Sequence, residues 1–180
     1  MSDQAVLNYS KEKGFHRQTL DRWLRLAAPD REALWDLVRE INMGESHLRD
    51  FLDWLEEIAL RDGVTVCEIA KRPALLQTLS DPRLGRNDKL KRIKEELRRL
   101  RFPRLAGIEE RIRQRIRDLR LSPGIRIYVP AGLEGGALTV QLKAASHDEL
   151  TRLVKELSQA VDKDNIKYIF NSLEGKTEGC

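Results

Sequence analysis

From Leu34 to Leu119 the apolar residues recur at spacings of three and four, the period of one buried helical face. Leu34, Leu37, Val38 and Ile41 form one such stripe, and Leu48, Phe51, Leu52, Leu55, Ile58 and Ala59 form the next. Further on, Leu90, Ile93, Leu97 and Leu100 are followed by Ile108, Ile112, Ile116 and Leu119. The period shortens to two in only two places. Ile125, Ile127 and Val129 alternate with Arg126 and Tyr128, and Leu138, Val140 and Leu142 alternate with Thr139, Gln141 and Lys143. A helical stripe then returns in Leu150, Leu153, Val154, Leu157 and Val161, and a last short helix follows through Ile166, Tyr168 and Phe170. The expected class is mainly α with a small α+β module at the C-terminus: a helical bundle, then a two-stranded antiparallel hairpin packed on helices.

Local punctuation sets the boundaries. Pro29 with Asp30 and Glu32 suits a first helical turn, and Asn42-Met43-Gly44 reads as a turn before a helix capped by Ser46. Gly63 stops that helix, and Thr65 with Glu68 forms a capping box. Asn87 is the expected cap of the helix that ends near Arg101, because Pro103 disfavours helical angles at Phe102. Ser122-Pro123-Gly124 breaks the next helix, Gly132 to Gly136 loops between the strands, and Ser146 with Glu149 opens the last long helix. Residues 1–14 read as loosely structured, with Thr19 capping a short helix through Leu20, Trp23 and Leu24. Trp35 and Trp54 border apolar stripes and read as core. The expected division is a helical bundle at 1–80, a polar connection SDPRLGRND, a basic helical pair at 87–120, a hairpin-plus-helix module at 121–172 that dimerises, and a flexible tail at 173–180.

Charge is distributed unevenly. Residues 1–70 hold 9 Lys and Arg against 14 Asp and Glu, residues 71–120 hold 17 against 7, and residues 121–180 hold 7 against 8. A cationic surface on an acidic neighbour attracts phosphate backbones by counterion release, or an acidic protein face by complementary potential. The residues expected on phosphates are Lys89, Lys91, Lys94, Arg98, Arg99, Arg101, Arg104, Arg111, Arg113, Arg115 and Arg117. Aromatic residues are scarce beside them, which favours contact with a duplex backbone over stacking on single-stranded bases. A two-stranded sheet is marginal alone: the helix at 147–161 can cover its apolar face, its edges invite strands of a second copy or burial under the basic helices, and the expected dimer interface is Ile125, Ile127, Val129, Leu138, Val140 and Leu142.

Motifs of catalysis do not occur. There is no GxxxxGK[ST], no GxSxG and no HExxH. His16, His47 and His147 lie far from one another and from Cys67, without metal-ligand spacing. The expectation is a non-catalytic protein with no cofactor and no metal. No run of apolar residues reaches the length of a membrane span, and the start MSDQAVLNYSKEKG lacks the apolar core of a signal peptide, which points to the cytoplasm.

Two resemblances add to this reading. The segment GVTVCEIAKRPALLQTL resembles the first helix and turn of a helix-turn-helix, although Arg72-Pro73-Ala74 stands where a turn glycine belongs, and a small helical pair packed on the bundle is the plainer reading. Over residues 108–162, a basic helix, GIRIYVP, the loop EGG, ALTVQLKAA and SHDELTRLVKEL resemble the C-terminal dimerisation domain of ParB-type partition proteins. That resemblance implies dimerisation and affinity for DNA; the rest of the chain carries no arginine-rich nucleotide-binding box. Together these point to a nucleic-acid-binding protein, DNA rather than RNA, that forms a homodimer. The alternative is a helical adaptor or regulatory subunit that docks on an acidic protein partner through its charged faces.

Overall fold

A computed structural model describes residues 3–134 and 136–176. Two compact units divide at Phe102 and Pro103. The division therefore falls inside the basic stretch, and the connection SDPRLGRND expected to separate domains lies within the first unit. The physical reason is that the helix after this connection buries its stripe against the bundle before it.

The first unit holds α1 (Asp3–Lys13), α2 (Arg17–Arg25), α3 (Ala28–Glu40), α4 (Glu45–Asp62), α5 (Val66–Ala70), α6 (Pro73–Ser80) and α7 (Arg86–Arg101). Its core runs from Val6 and Trp23 through Leu34, Leu37, Val38, Leu48, Phe51, Leu52, Leu55 and Ile58 to Ile93 and Leu97. Residues 3–13 are helical, contrary to the loose segment expected there. Val6 is buried, and Tyr9 meets the edge of Trp35 at 5.6 Å while donating its hydroxyl to the Met43 carbonyl at 2.8 Å.

Three caps differ from expectation. His16, Gly44 and Gly85 occupy the N-cap positions of α2, α4 and α7, without side-chain cap bonds. Thr19, Ser46 and Asn87 lie inside their helices, and the Thr19 hydroxyl is committed to Glu45 at 2.6 Å. The remaining stops hold. Gly63 ends α4 in the left-handed region at φ 66°, and Thr65 with Glu68 forms both bonds of a capping box. GVTVCEIAKRPALLQTL folds as two short helices, α5 against α3 and α4, and α6 against α7.

The second unit holds α8 (Pro103–Asp118), β1 (Ile125–Tyr128), a 3-10 turn (Ala131–Leu133), β2 (Thr139–Leu142), α9 (His147–Val161) and α10 (Asp164–Leu173). β1 and β2 pair antiparallel with Ile125 opposite Leu142 and Ile127 opposite Val140. This register puts the apolar residues on one face, and Arg126, Tyr128, Thr139 and Gln141 on the other. Ile112 and Leu119 of the α8 region, Ala160 of α9, and Ile166, Ile169 and Leu173 of α10 form the core, with Ile127, Val129 and Leu138 packed against it. Ser146 accepts from the Glu149 amide, while the Glu149 carboxylate reaches back to the Ala145 amide at 2.7 Å. Of the tail expected at 173–180, Leu173 belongs to α10 and residues 177–180 lie outside the described residues.

Candidate nucleic-acid interface

The basic stretch is built on two helices that belong to different units. α7 buries Ile93 and Leu97 against the first unit, so its cations flank that seam or face outward. Several are already committed. Lys89 Nζ meets Glu40 at 2.6 Å with its side chain only 12% exposed, Lys94 Nζ meets Asp50 at 2.8 Å and lies over the Trp54 ring, and Arg101 Nε meets Glu57 at 2.7 Å. The acidic bundle thus neutralises part of the helix that packs on it. Arg98 and Arg99 pair along α7 with Glu95 at 3.7 and 3.6 Å. Lys91 is exposed and has no acidic partner among the described residues.

Arg61 of α4 ties down the other end of α7. Its guanidinium donates to the Leu100 carbonyl at 2.7 Å and to the Arg101 carbonyl, two groups that helix termination leaves without intrahelical partners. Its carboxylate neighbour Asp62 is held below the usual carboxylate range by hydrogen bonding to Arg61.

On α8 the arrangement is more open. Arg104, Arg111, Arg115 and Arg117 are exposed. Arg111 Nε donates to the Tyr168 hydroxyl at 2.9 Å, and Arg115 donates to Asn165 at 3.1 Å with its guanidinium 4.9 Å from the Tyr168 ring centroid. These partners are neutral, so they fix the side chains without cancelling their charge. Arg113 and Arg117 share Glu110 at 2.9 and 3.0 Å, and Arg117 first, then Arg113, keep that carboxyl below its ordinary range.

The six residues expected at a dimer interface form the inner face of the hairpin. Ile125 is buried, Ile127, Val129, Leu138 and Leu142 are half-buried, and Val140 is 36% exposed. Helices of the same unit cover much of this face. α9 adds an open apolar stripe, where Leu150, Val154 and Val161 are 43%, 50% and 50% exposed at helical spacing.

One cationic concavity escaped the charge count because it sits in the acidic third of the sequence. A cavity of about 310 Å³ between α2 and α4 is lined by His16, Gln18, Arg22, Arg25, Glu45 and Arg49, among others. No motif in the sequence marks it, because Arg22, Arg25 and Arg49 are brought together only by the packing of α2 on α4. Among the described residues, no helix is long and apolar enough to cross a membrane. Compared with family models, with curated proteins and with solved structures, the chain matches none of them.

Proposed function

We propose that this chain is a non-catalytic duplex-DNA-binding protein whose basic helices grip the phosphate backbone. The observation that carries the reading is the outer surface of α8, where Arg111 and Arg115 are held by neutral partners and Arg104 is exposed. A guanidinium fixed in this way keeps its full charge for a phosphate and gives up less rotamer entropy on binding. Lys91 on α7 is exposed without an acidic partner among the described residues, whereas a phosphate must displace a carboxylate to reach Lys89, Lys94 or Arg101.

The chain works as a homodimer in the cytoplasm, in a partition-like role, joined through its second unit. Support for the dimer comes from the exposed stripe of Leu150, Val154 and Val161 on α9. The test of DNA binding is fluorescence anisotropy of a labelled random-sequence duplex at two salt concentrations. The same titration is run with Arg111, Arg113, Arg115 and Arg117 changed together to Gln. If about six cations neutralise phosphates, log affinity falls with log salt with a slope near −5. A salt-independent signal, or full binding by the quadruple variant, would falsify this reading.

A second reading has one observation of its own. Lys89, Lys94 and Arg101 pair with acids of α3 and α4, which supports a reading in which the cations of this stretch serve carboxylates rather than phosphates, as in an adaptor for acidic proteins. A copurifying polypeptide with no nucleic-acid absorbance favours this reading.

A further inference from the structure

α1 and α2 are joined by three residues, Gly14-Phe15-His16. The Gly14 amide donates to the Lys11 carbonyl at 3.3 Å and the Phe15 amide to the Ser10 carbonyl at 2.9 Å, which closes α1 with a Schellman turn. Gly14 sits at φ +68°, a conformation that costs a side chain dearly. The turn delivers Phe15 back onto α1, where its ring meets the edge of Tyr9 at 5.8 Å. Ser10, four residues before the glycine, is small and only 2% exposed, and α1 and α2 pack on one another.

α2 is fixed along one side. It buries Thr19 and Trp23 and half-buries Leu20. From α4, Asp53 and Glu56 hold the Arg22 guanidinium at 2.6 and 2.8 Å, and Glu45 accepts the Thr19 hydroxyl and the His16 amide. The outward arc carries Arg17, Gln18, Asp21 and Arg25, all exposed, with Gln18 and Arg25 on the rim of the α2–α4 cavity and Arg17 3.6 Å from the Asp21 carboxylate. At 100° per residue these four span one arc of about a third of the helix.

We propose that α1 and α2 form a helix-turn-helix and that α2 enters the major groove of duplex DNA, with Arg17 and Gln18 reading base edges. Two helices joined by a short glycine turn, the second braced from behind and polar in front, match the connection and the exposure pattern of that motif. Arg and Gln are the side chains that recognise guanine and adenine by paired hydrogen bonds. Residues 1–25 hold five Lys and Arg against three Asp and Glu, whereas residues 26–70 hold four against 11. Arg22 is spent on Asp53 and Glu56, so Arg17 and Arg25 are the cations that α2 offers to a phosphate backbone. The proposal takes its ligand class from the duplex reading above but uses different residues and adds base selectivity, which the cations of α7 and α8 do not supply.

The experiment is selection by the full chain from duplexes with a randomised central segment, followed by affinity measurement on the selected and the unselected pools. The wild type should enrich a common short sequence. Arg17→Ala with Gln18→Ala, both on solvent-facing side chains, should reduce the preference for that sequence by about tenfold or more while retaining affinity for the unselected pool. The Arg111, Arg113, Arg115 and Arg117→Gln variant should weaken both pools and keep the preference. Binding without any enriched sequence, or a preference untouched by the Arg17 and Gln18 changes, overturns the helix-turn-helix proposal and leaves backbone binding standing. Failure of the wild type to bind either pool overturns both.

Discussion

The Thr19 hydroxyl donates to Glu45 Oε1 at 2.6 Å, and the His16 amide donates to the same oxygen at 3.0 Å, so one carboxylate binds the start of α2 to the start of α4. The Thr19 bond is the first cause that holds the Glu45 carboxyl below its ordinary range, against the opposing effect of burial, with the His16 amide adding to it. Glu45→Ala should lower the unfolding free energy by about 1–2 kcal/mol, since hydrogen bonds to a charged group are lost. A depressed carboxyl stabilises the fold fully above its unfolded value, about 4.3, and loses that contribution as pH falls through the lower folded value. The gap between wild type and variant in urea unfolding should therefore be widest at neutral pH and narrow on acidification below that range. A gap that does not change with pH rules out the linkage.

Gly124 precedes β1 at a point with no room for a side chain. A Cβ there would stand 2.8 Å from Leu153 Cδ1 and 2.9 Å from the Lys143 carbonyl oxygen. The second obstacle is backbone held by the hairpin itself, because the Lys143 amide donates to the Gly124 carbonyl at 2.8 Å. Gly124→Ala should cost about 1–3 kcal/mol by overpacking, read as a lower midpoint in thermal unfolding. An unchanged midpoint shows that β2 and α9 yield without strain.

Lys94 and Asp50 pair at 2.8 Å with side chains 27% and 43% exposed. Solvent screening and side-chain entropy limit a pair of this kind, so a double-mutant cycle with Lys94→Met and Asp50→Asn should give a coupling of about 0.2–1 kcal/mol. The coupling should shrink in high salt. A value several times larger means the pair acts with the Trp54 ring beneath Lys94 as one unit.

Adjacent residues of α9 separate association from folding. Val154 is 50% exposed and Leu153 is 0% exposed. Val154→Glu should convert a dimer to a monomer in sedimentation without loss of helical signal. Leu153→Ala should instead destabilise the second unit by about 2–5 kcal/mol. A wild type that sediments as a monomer at micromolar concentration removes the dimer from the account.

The fold class was legible because long amphipathic stripes leave little choice. Leu48, Phe51, Leu52, Leu55 and Ile58 are all buried on one side of α4, and the alternation of Ile125 and Ile127 with Arg126 and Tyr128 matches the observed register. What escaped the sequence reading was decided by tertiary contact. α1 offers few apolar residues of its own and is held through Val6 and through Tyr9 on Trp35 and the Met43 carbonyl. Thr19 looks like a cap, but Glu45, distant in sequence, engages its hydroxyl. In the basic stretch, the sequence puts the cations on α7 and α8 but hides which of them are paired, because Glu40, Asp50 and Glu57 lie 49, 44 and 44 residues away from Lys89, Lys94 and Arg101.

Those three pairings also govern how the protein behaves as a colloid. A sequence pI of about 9.2 counts every lysine and arginine equally, but a sulfonate resin meets only charge that faces outward and is uncompensated. Retention on a cation-exchange column should be set by exposed cations outside these pairs, Lys91, Arg92, Arg104, Arg111 and Arg115 among them. Changing Glu40, Asp50 and Glu57 to Gln should shift elution to higher salt by more than removing three carboxylates from an unpaired region of the surface.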